Sequence, residues 1–461
     1  MERLAQVTAP DLASFSSTES NMIPERGNFR TLSAPVTIQW EVTPWCNERC
    51  VHCYNYWRDP DTQKLELSTN TDDFFDASIR EIISNRIFHV TLTGGEPLAV
   101  FKTLFPYLER LSESNTSISL NSNLTMLTKE KAARIKSIGI RSILTSLMSS
   151  DPDKNDLLAN RENTFNDVVK GINIAQEEGI GVAVNMVVTK VNIQDIYSTA
   201  EFVKSLGVRA FSATKASSPI RDIDFSDYSL SQDEFKFMLG ELLRVKSDLK
   251  LDVDSLEFYP ICSFENQESV DTFGGRMCNA GKTACTIGYN GQVRPCSHAS
   301  QEYGSIFDAG GLSTAWLNMQ PWRDNSLIPE KCKDCDLSQI CRGGCRTEAF
   351  VSTGNLNGKD PYCLFNMHPN RKTKNALSLV NEGQILRFNN KLKYRDENFG
   401  AIIYHSPTKW LPVDNTLKNF YLNHQYESFN LEELAVVFGA GLAEVTPTAG
   451  VMLQKSLIER R

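Results

Sequence analysis

Three cysteines lie within eight residues at CNERCVHC, where Cys46, Cys50 and Cys53 follow the spacing C-x3-C-x2-C. Thiolates in such clusters are ligands for iron-sulfur clusters or for zinc. A structural zinc site needs a fourth ligand, and Cys53 already takes the direction that its neighbour His52 would need, so zinc is the less favoured interpretation. On a four-iron cluster, three thiolates leave one iron with an open position, which is what catalysis requires.

A second cysteine-rich region follows later in the chain. Eight of the twelve cysteines lie there, at Cys278, Cys285, Cys296, Cys332, Cys335, Cys341, Cys345 and Cys363. Cys332, Cys335, Cys341 and Cys345 have the spacing C-x2-C-x5-C-x3-C, which also suits a tetrahedral zinc ribbon. The region has many glycines and few long apolar runs, so we expect metal rather than a large core to hold it together.

The composition of the whole chain is that of a globular protein. Its 461 residues are 41% hydrophobic and 23% charged, enough for two or three domains, and the net charge of -8 argues against a general nucleic-acid binder. There is no run of eighteen apolar residues, and the N-terminus lacks the order of a secretory signal. We therefore expect a cytoplasmic protein whose cysteines are reduced rather than paired in disulfides.

Short β-branched runs alternate with helical patterns from Val36 onward. The runs are at 36–42, 88–92, 117–122, 141–147, 180–188 and 208–213. Six β-then-α units in series predict an α/β fold with a parallel sheet, either an open barrel or a doubly wound sheet. In both, chemistry is expected where the strands end.

These patterns predict six segments with different roles. They are an N-terminal extension (1–34), the β/α core (35–235), a bridging helix and connection (236–275), the cysteine-rich domain (276–370), a linker (371–384) and a C-terminal domain (385–461). The last reads as three strands and about three helices, a small winged-helix-like α+β domain whose final helix is TAGVMLQKSLIERR. Its helices lack the basic face of a DNA reader. Capping-box pairs at Ser231/Glu234 and Asn430/Glu433 predict two helix starts.

The cysteine triplet follows the first strand, TIQWEVTPWC, and LTGGEP follows the second. This arrangement resembles the radical S-adenosylmethionine (radical SAM) superfamily. The resemblance implies a partial (β/α)6 barrel, with a catalytic 4Fe-4S cluster on Cys46, Cys50 and Cys53 whose open iron binds S-adenosyl-L-methionine. It implies cofactor contacts from Gly94, Gly95, Glu96, Pro97, Ser122, Asn123, Ser146 and Arg161. The last four could equally be cap or turn residues.

The later cysteines resemble the seven-cysteine SPASM extension of radical enzymes that modify peptides and proteins. That resemblance implies two auxiliary iron-sulfur clusters, expected to be 4Fe-4S, that accept an electron in a net oxidation. Cys332, Cys335, Cys341 and Cys363 would hold one, and Cys278, Cys296 and Cys345 the other. Cys285 is the expected eighth ligand. Cys262 is by default a buried apolar residue, and it is the alternative to Cys285.

Two segments, CNAGKTACTIGYNGQVRPC and CRGGCRTEAFVSTGNLNGKDPYC, are similar to the mycofactocin radical maturases, and YRDENFGAIIYH resembles the PqqD-like peptide chaperones. The resemblance implies oxidative modification of a ribosomally synthesised precursor peptide by a cross-link, an unsaturation or a decarboxylation. Residues 385–461 would bind its leader, and flavodoxin or ferredoxin would supply electrons. Two alternatives remain. One is a maturase of a folded protein, of the sulfatase-activating type, and the other is a non-catalytic iron-sulfur or zinc scaffold.

Overall fold

The structure is a computed structural model, and it describes residues 31–58, 71–221, 223–364, 380–381 and 383–461. Most of the predicted N-terminal extension and most of the predicted linker lie outside these residues.

One nine-stranded sheet forms the larger part of the molecule. Its strands are β1 (Thr37–Glu41), β2 (His89–Thr93), β3 (Ser117–Asn121), β4 (Ser142–Ser146), β5 (Gly181–Val188), β6 (Ala210–Lys215), β7 (Asp252–Asp254), β8 (Ala284–Ile287) and β9 (Val293–Arg294). The first seven are parallel and lie side by side in chain order. This confirms the predicted α/β fold with a parallel sheet and adds a short seventh strand, β7, after the six predicted ones.

Helices connect the parallel strands and cover the sheet. In the first part they are α1 (Thr71–Ser84), α2 (Phe101–Ser112), α3 (Lys129–Ser137), α4 (Pro152–Ala159), α5 (Thr164–Glu177), α6 (Ile196–Ser205) and α7 (Gln232–Leu249). In the cysteine-rich part they are short: α8 (Gln267–Phe273), α9 (Gly311–Asn318), α10 (Ser338–Cys341) and α11 (Arg346–Thr353). The predicted capping box begins α7, since the Glu234 N–H donates to Ser231 Oγ at 3.2 Å and the Ser231 N–H donates to Glu234 Oε2 at 2.7 Å.

Strand β1 joins the barrel to the cysteine-rich part. It pairs with β2 on one side and with β8 on the other, in parallel, and β9 then pairs antiparallel with β8. At the end of β1, Glu41 forms an ion pair with Arg294 of β9 at 2.5 Å, and both side chains are 1% exposed. Burial raises the pKa of Glu41, and the charge of Arg294 opposes that rise. The two parts are therefore one continuous structure.

The C-terminal domain contains two three-stranded sheets and three helices. Its strands are β10 (Leu386–Phe388), β11 (Lys393–Glu397), β12 (Gly400–Ser406), β13 (Lys409–Asp414), β14 (Ser428–Phe429) and β15 (Ile458–Arg460). Its helices are α12 (Asn415–Asn423), α13 (Leu431–Phe438) and α14 (Leu442–Gln454). The predicted Asn430/Glu433 capping box is present at α13. The chain ends in β15, which pairs with β10, instead of in the predicted final helix.

The C-terminal domain packs against the end of the barrel where the strands begin. Arg395, which is 3% exposed, donates from Nη1 to the Pro35 carbonyl at 2.8 Å and from Nη2 to the Ala34 carbonyl at 2.6 Å. Tyr404 of β12 stacks on Phe88, the residue before β2, with ring centroids 4.7 Å apart. These contacts place the domain at the N-terminal ends of β1 and β2.

None of the helices in the described ranges is by itself long and apolar enough to cross a membrane. Taken together, α13 and α14 meet that criterion, but they are bent by 112° at the break between them.

We predict that Glu41→Ala destabilises the chain strongly, because the Arg294 guanidinium then stays buried without its carboxylate. Breaking a buried ion pair from one side costs about 3–5 kcal/mol. The exposed pair between Lys129 and Glu177, at 2.9 Å, provides the matched control, and Glu177→Ala should change the free energy of unfolding far less, because solvent screens that pair. Urea unfolding of the full chain, followed by circular dichroism, measures both losses. Equal losses would contradict this prediction.

Candidate functional site

The cysteine triplet lies in the loop that follows β1, at the edge of the sheet where the parallel strands end. Cys46, Cys50 and Cys53 are all half-buried. Backbone bonds hold the loop against the end of α4, from the Arg49 N–H to the Ala159 carbonyl at 3.1 Å and from the Val51 N–H to the Leu158 carbonyl at 3.0 Å. The loop therefore has a fixed backbone with three thiols.

The three thiols are close enough for their charges to interact. Burial raises the pKa of Cys50 well above its usual value, and the charges of Glu48, Cys53 and Cys46 raise it further. Two arginines hydrogen-bond to the backbone of this loop. Arg58 donates to the Glu48 carbonyl at 2.5 Å and lowers the pKa of Cys46, which burial raises to about 12. Arg221 donates to the Cys53 carbonyl at 3.0 Å.

The GGEP turn after β2 lies against the residues that precede Cys46. The Gly95 N–H donates to the Thr43 carbonyl and the Glu96 N–H to the Trp45 carbonyl, both at 2.7 Å. A Cβ atom on Gly95 would lie 1.9 Å from the Trp45 carbonyl oxygen, and Gly94 has φ +124°. Glycine is therefore required at both positions, because any side chain would separate the turn from the cysteine loop.

Glu96 is buried and joins this turn to the end of β3. Its carboxylate accepts from Ser122 Oγ at 2.7 Å, from the Asn123 N–H at 2.8 Å and from the Leu98 N–H at 2.9 Å. Burial raises its pKa, and these three donors lower it. Asn123 Nδ2 in turn lies 3.9 Å from Cys46 Sγ. The structure thus brings Glu96, Ser122 and Asn123 together beside the triplet, with Pro97 buried in the following turn.

The other two predicted cofactor residues lie at the end of β4 and in the connection that follows it. Ser146 is the last residue of β4 and is in register with Asn185 of β5. Arg161 follows α4 and donates from Nη2 to Asp167 Oδ2 at 2.7 Å. Its Nη1 is buried, and among the described residues it has no hydrogen-bond partner. Burial raises the pKa of Glu48, and the charge of Arg161 opposes that rise. The cysteine loop bonds to the Ala159 carbonyl, two residues before Arg161, so Arg161 follows directly after that contact.

The later cysteines form two groups. Cys332, Cys335, Cys341 and Cys363 line one cavity of about 200 Å³. Cys278, Cys296 and Cys345 form the other group, in which the charge of Cys278 adds to the effect of burial and raises the pKa of both partners. Lys282 lies beside this group, and its Nζ donates to the Cys278 carbonyl at 3.1 Å. Burial lowers the pKa of Lys282 to about 8.

Cys262 and Cys285 lie in different surroundings. Cys285 is 1% exposed, belongs to β8, is in register with Ile38 of β1 and is part of the barrel core. Cys262 instead lines the cavity of the first group. Within the described residues, no three His, Cys, Asp or Glu side chains are placed as ligands of a single metal ion.

Sequence reasoning missed two contacts between the barrel and the cysteine-rich part. Tyr54, next to Cys53, stacks on His298, two residues after Cys296, with ring centroids 3.9 Å apart. Lys215, at the end of β6, forms ion pairs with Glu348 at 2.9 Å and with Glu257 at 3.1 Å. Burial alone would lower the pKa of Lys215, but the two carboxylates raise it well above its usual value. For the group of Lys215, Glu257 and Glu348, the one signal in the sequence was a lysine at the end of a buried strand.

Residues 40–203 match the family described as the Radical SAM superfamily. The AdoMet-dependent heme synthase of Methanosarcina barkeri is 25% identical over 72% of this chain and 97% of its own length. Mycofactocin maturase MftC of Mycobacterium tuberculosis is 27% identical over 73% of this chain and 84% of its own length. The subtilosin biosynthesis protein AlbA of Bacillus subtilis is 24% identical over 69% of this chain and 68% of its own length.

Two solved structures share the fold. One is anSMEcpe with bound AdoMet, with a TM-score of 0.58 and 16% identity over 71% of this chain and 94% of that one. The other is SuiB of Streptococcus suis bound to the precursor peptide SuiA, with a TM-score of 0.52 and 18% identity over 72% of this chain and 76% of that one. With the cysteine loop and the GGEP turn at the ends of β1 and β2, residues 40–203 of this chain are a Radical SAM superfamily domain.

Proposed function

We propose that this chain is a radical SAM oxidoreductase that modifies a ribosomally synthesised precursor peptide. Cys46, Cys50 and Cys53 would hold the catalytic 4Fe-4S cluster, with S-adenosyl-L-methionine at its open position. The main support is the placement of three thiols and the GGEP turn at one edge of the sheet, beside a guanidinium that has an unused donor. This donor set suits an open-sided cluster, because three soft ligands leave one position for the cofactor.

The reduced cluster would supply one-electron cleavage of the cofactor to a 5'-deoxyadenosyl radical that takes a hydrogen atom from the substrate. The residues of the chain bind and orient the cofactor. Arg161 is held by Asp167 through Nη2, and its buried Nη1 is left to bind the cofactor carboxylate. Gly94 and Gly95 allow close backbone approach. Glu96, Ser122 and Asn123 bond to one another and keep the GGEP turn beside Cys46, and Ser146 lies further along the same edge.

We propose that the two later cysteine groups hold auxiliary clusters. Cys332, Cys335, Cys341 and Cys363 would bind one, and Cys278, Cys296 and Cys345 the other. Abstraction of a hydrogen atom leaves an unpaired electron on the substrate, so a closed-shell product requires an electron acceptor. The cations Lys282 and Arg342 beside Cys278 would offset the negative charge of thiolate ligands. A flavodoxin or ferredoxin is the proposed electron donor.

The C-terminal domain supports a peptide substrate. Among the described strands, β11 and β13 each pair only with β12, so each has one free edge. An extended peptide can add to such an edge as a further strand. We propose that residues 385–461 bind the leader of the precursor in this PqqD-like manner. The relatives point the same way, since one is named a mycofactocin maturase, one a bacteriocin biosynthesis protein, and SuiB was solved with its precursor peptide.

A second candidate substrate is a tetrapyrrole, because one relative is named an AdoMet-dependent heme synthase and matches over 97% of its length. A folded protein substrate, as in the sulfatase-activating alternative, would not explain a domain with free strand edges. Twelve cysteines, eleven of them proposed as thiolate ligands, suit a reducing compartment, which supports the proposed cytoplasmic location. To separate the first two candidates, the enzyme is incubated with a precursor peptide encoded beside its gene or with a tetrapyrrole. Mass spectrometry of the products then shows which of the two is modified.

We predict that Cys46→Ala abolishes formation of 5'-deoxyadenosine, because one of the three cluster ligands is lost. The anaerobically reconstituted full chain, with S-adenosylmethionine and dithionite, provides the assay by liquid chromatography. Cys335→Ala is the matched control, because it removes a thiol from the other region and should leave cofactor cleavage in place while peptide oxidation stops. Cleavage by Cys46→Ala at the normal rate would refute the assignment of this loop.

We predict that Arg161→Ala weakens S-adenosylmethionine binding by about 10- to 100-fold, the worth of one charged hydrogen bond. The iron bound at the cysteine loop should not change, since Arg161 is not a ligand. Equilibrium binding of the cofactor to the reconstituted chain measures the effect, and Arg80→Ala, which removes an exposed side chain of α1, is the control. The same affinity in Arg161→Ala and Arg80→Ala would show that the guanidinium does not bind the cofactor.

We predict a minimum spacer between the leader segment and the modified residue. The domain contacts the barrel at Phe88, whereas the GGEP turn begins at Gly94, at the opposite end of β2. Six residues of extended chain span about 20 Å. A shorter spacer therefore cannot reach the edge of the sheet that carries the GGEP turn and the cysteine loop. Precursors with spacers below about six residues should bind but remain unmodified, and added Gly-Ser residues should be tolerated. Normal modification of a precursor with a two-residue spacer would contradict this geometry.

A further inference from the structure

The cavity that holds four of the predicted ligands contains a fifth thiol. Cys262 lies in a short turn, Ile261–Ser263, after β7, and it lines the same cavity as Cys332, Cys335, Cys341 and Cys363. Its Sγ is 3.4 Å from Cys363 Sγ. The Leu364 N–H, from the residue next to Cys363, donates to Cys262 Sγ at 3.3 Å. The turn and the segment around Cys363 are thus held together at their sulfur atoms.

The surroundings of Cys262 are those of a ligand rather than of an apolar core residue. The small buried cluster to which it belongs contains Cys262, Cys332, Cys363 and one aliphatic side chain, Ile328. The neighbouring residue takes part in the same site, since the Ile261 N–H donates to Cys341 Sγ at 3.4 Å. Cys285 provides the contrast, because it is equally buried but lies among the aliphatic and aromatic side chains of the barrel core.

The distance between the two sulfur atoms restricts what they can bind. Two thiolates on one tetrahedral metal, with bonds of about 2.3 Å, lie about 3.8 Å apart. The 3.4 Å between Cys262 and Cys363 is close to that value. Cys332 hydrogen-bonds to Cys363 as well, so the sulfur atoms of Cys262, Cys332 and Cys363 form one group. Cys262 is therefore placed within reach of the metal that Cys332 and Cys363 would bind.

We infer that Cys262 is a fifth thiol of this auxiliary site and that it can replace Cys363 as a ligand. The inference rests on the auxiliary cluster assigned above to Cys332, Cys335, Cys341 and Cys363. It also assigns Cys262 to this cluster and not to the group of Cys278, Cys296 and Cys345. Loss of either member of the pair leaves four thiols at the site, whereas loss of both leaves three.

The test is the metal content of anaerobically reconstituted full-length chains. The variants are Cys262→Ala, Cys363→Ala, the double variant with both changes, and Cys332→Ala. Iron and acid-labile sulfide per chain are measured together with the electron paramagnetic resonance spectrum of the reduced protein. We expect each single change in the pair to keep the wild-type iron content, with an altered signal in Cys363→Ala. The double variant should retain less iron than either single variant, with a loss of at most about a third when three clusters of equal size are present.

Cys285→Ala is the matched control, since it removes an equally buried thiol outside the cavity, and it should keep all its iron. Circular dichroism of every variant establishes that loss of iron is not loss of the fold. If Cys363→Ala alone loses as much iron as the double variant, Cys262 is not a ligand and the inference is wrong, while the auxiliary cluster stands. If neither the double variant nor Cys332→Ala loses iron, the cluster assignment itself fails, and the inference fails with it.

Discussion

The arrangement of the candidate site depends on β1, which is paired on both sides and carries the buried Glu41–Arg294 ion pair at its end. The cysteine loop begins a few residues after Glu41, and Cys296 lies just after Arg294. Because two buried opposite charges cannot be separated without leaving each unpaired in a dry interior, the pair fixes both thiol groups relative to one sheet. The Tyr54–His298 stack adds a second contact between the same two loops.

A second buried charge cluster acts on the other side of the site. Lys215 ends β6, whereas Glu348 lies on α11 directly after Cys345, and Glu257 follows β7. Two carboxylates around one ammonium in a buried position are a poor source of stability, because desolvation opposes the attraction. These ion pairs instead fix the relative positions of the elements that carry them. They set the orientation of α11 against the barrel, and therefore the position of Cys345, which aliphatic packing alone would leave less defined.

The sequence was sufficient for features that have a local signal. Strand runs, the alternation of strands and helices, and both capping boxes follow from neighbouring residues, and the structure contains them. The seventh strand, DVD, is too short for a periodic pattern, and the Glu41–Arg294 pair joins residues far apart in the chain. Spacing and resemblance favoured Cys285 over Cys262 as the eighth auxiliary ligand. The structure places Cys285 on β8 opposite Ile38, and the alternation of ACTI was the signal for that buried position.

If the C-terminal domain binds the leader as proposed, its position separates recognition from chemistry. Arg395 and Tyr404 hold the domain where the strands begin, whereas the cysteine loop lies where they end. A leader bound at one end raises the effective concentration of the attached core segment at the other without any contact in the barrel mouth. The residues around the cysteine loop then need few specific contacts with the core segment, because the bound leader already keeps that segment at a high local concentration. Such an arrangement permits a single radical-generating site to act on core segments that differ in sequence, provided that they share one leader.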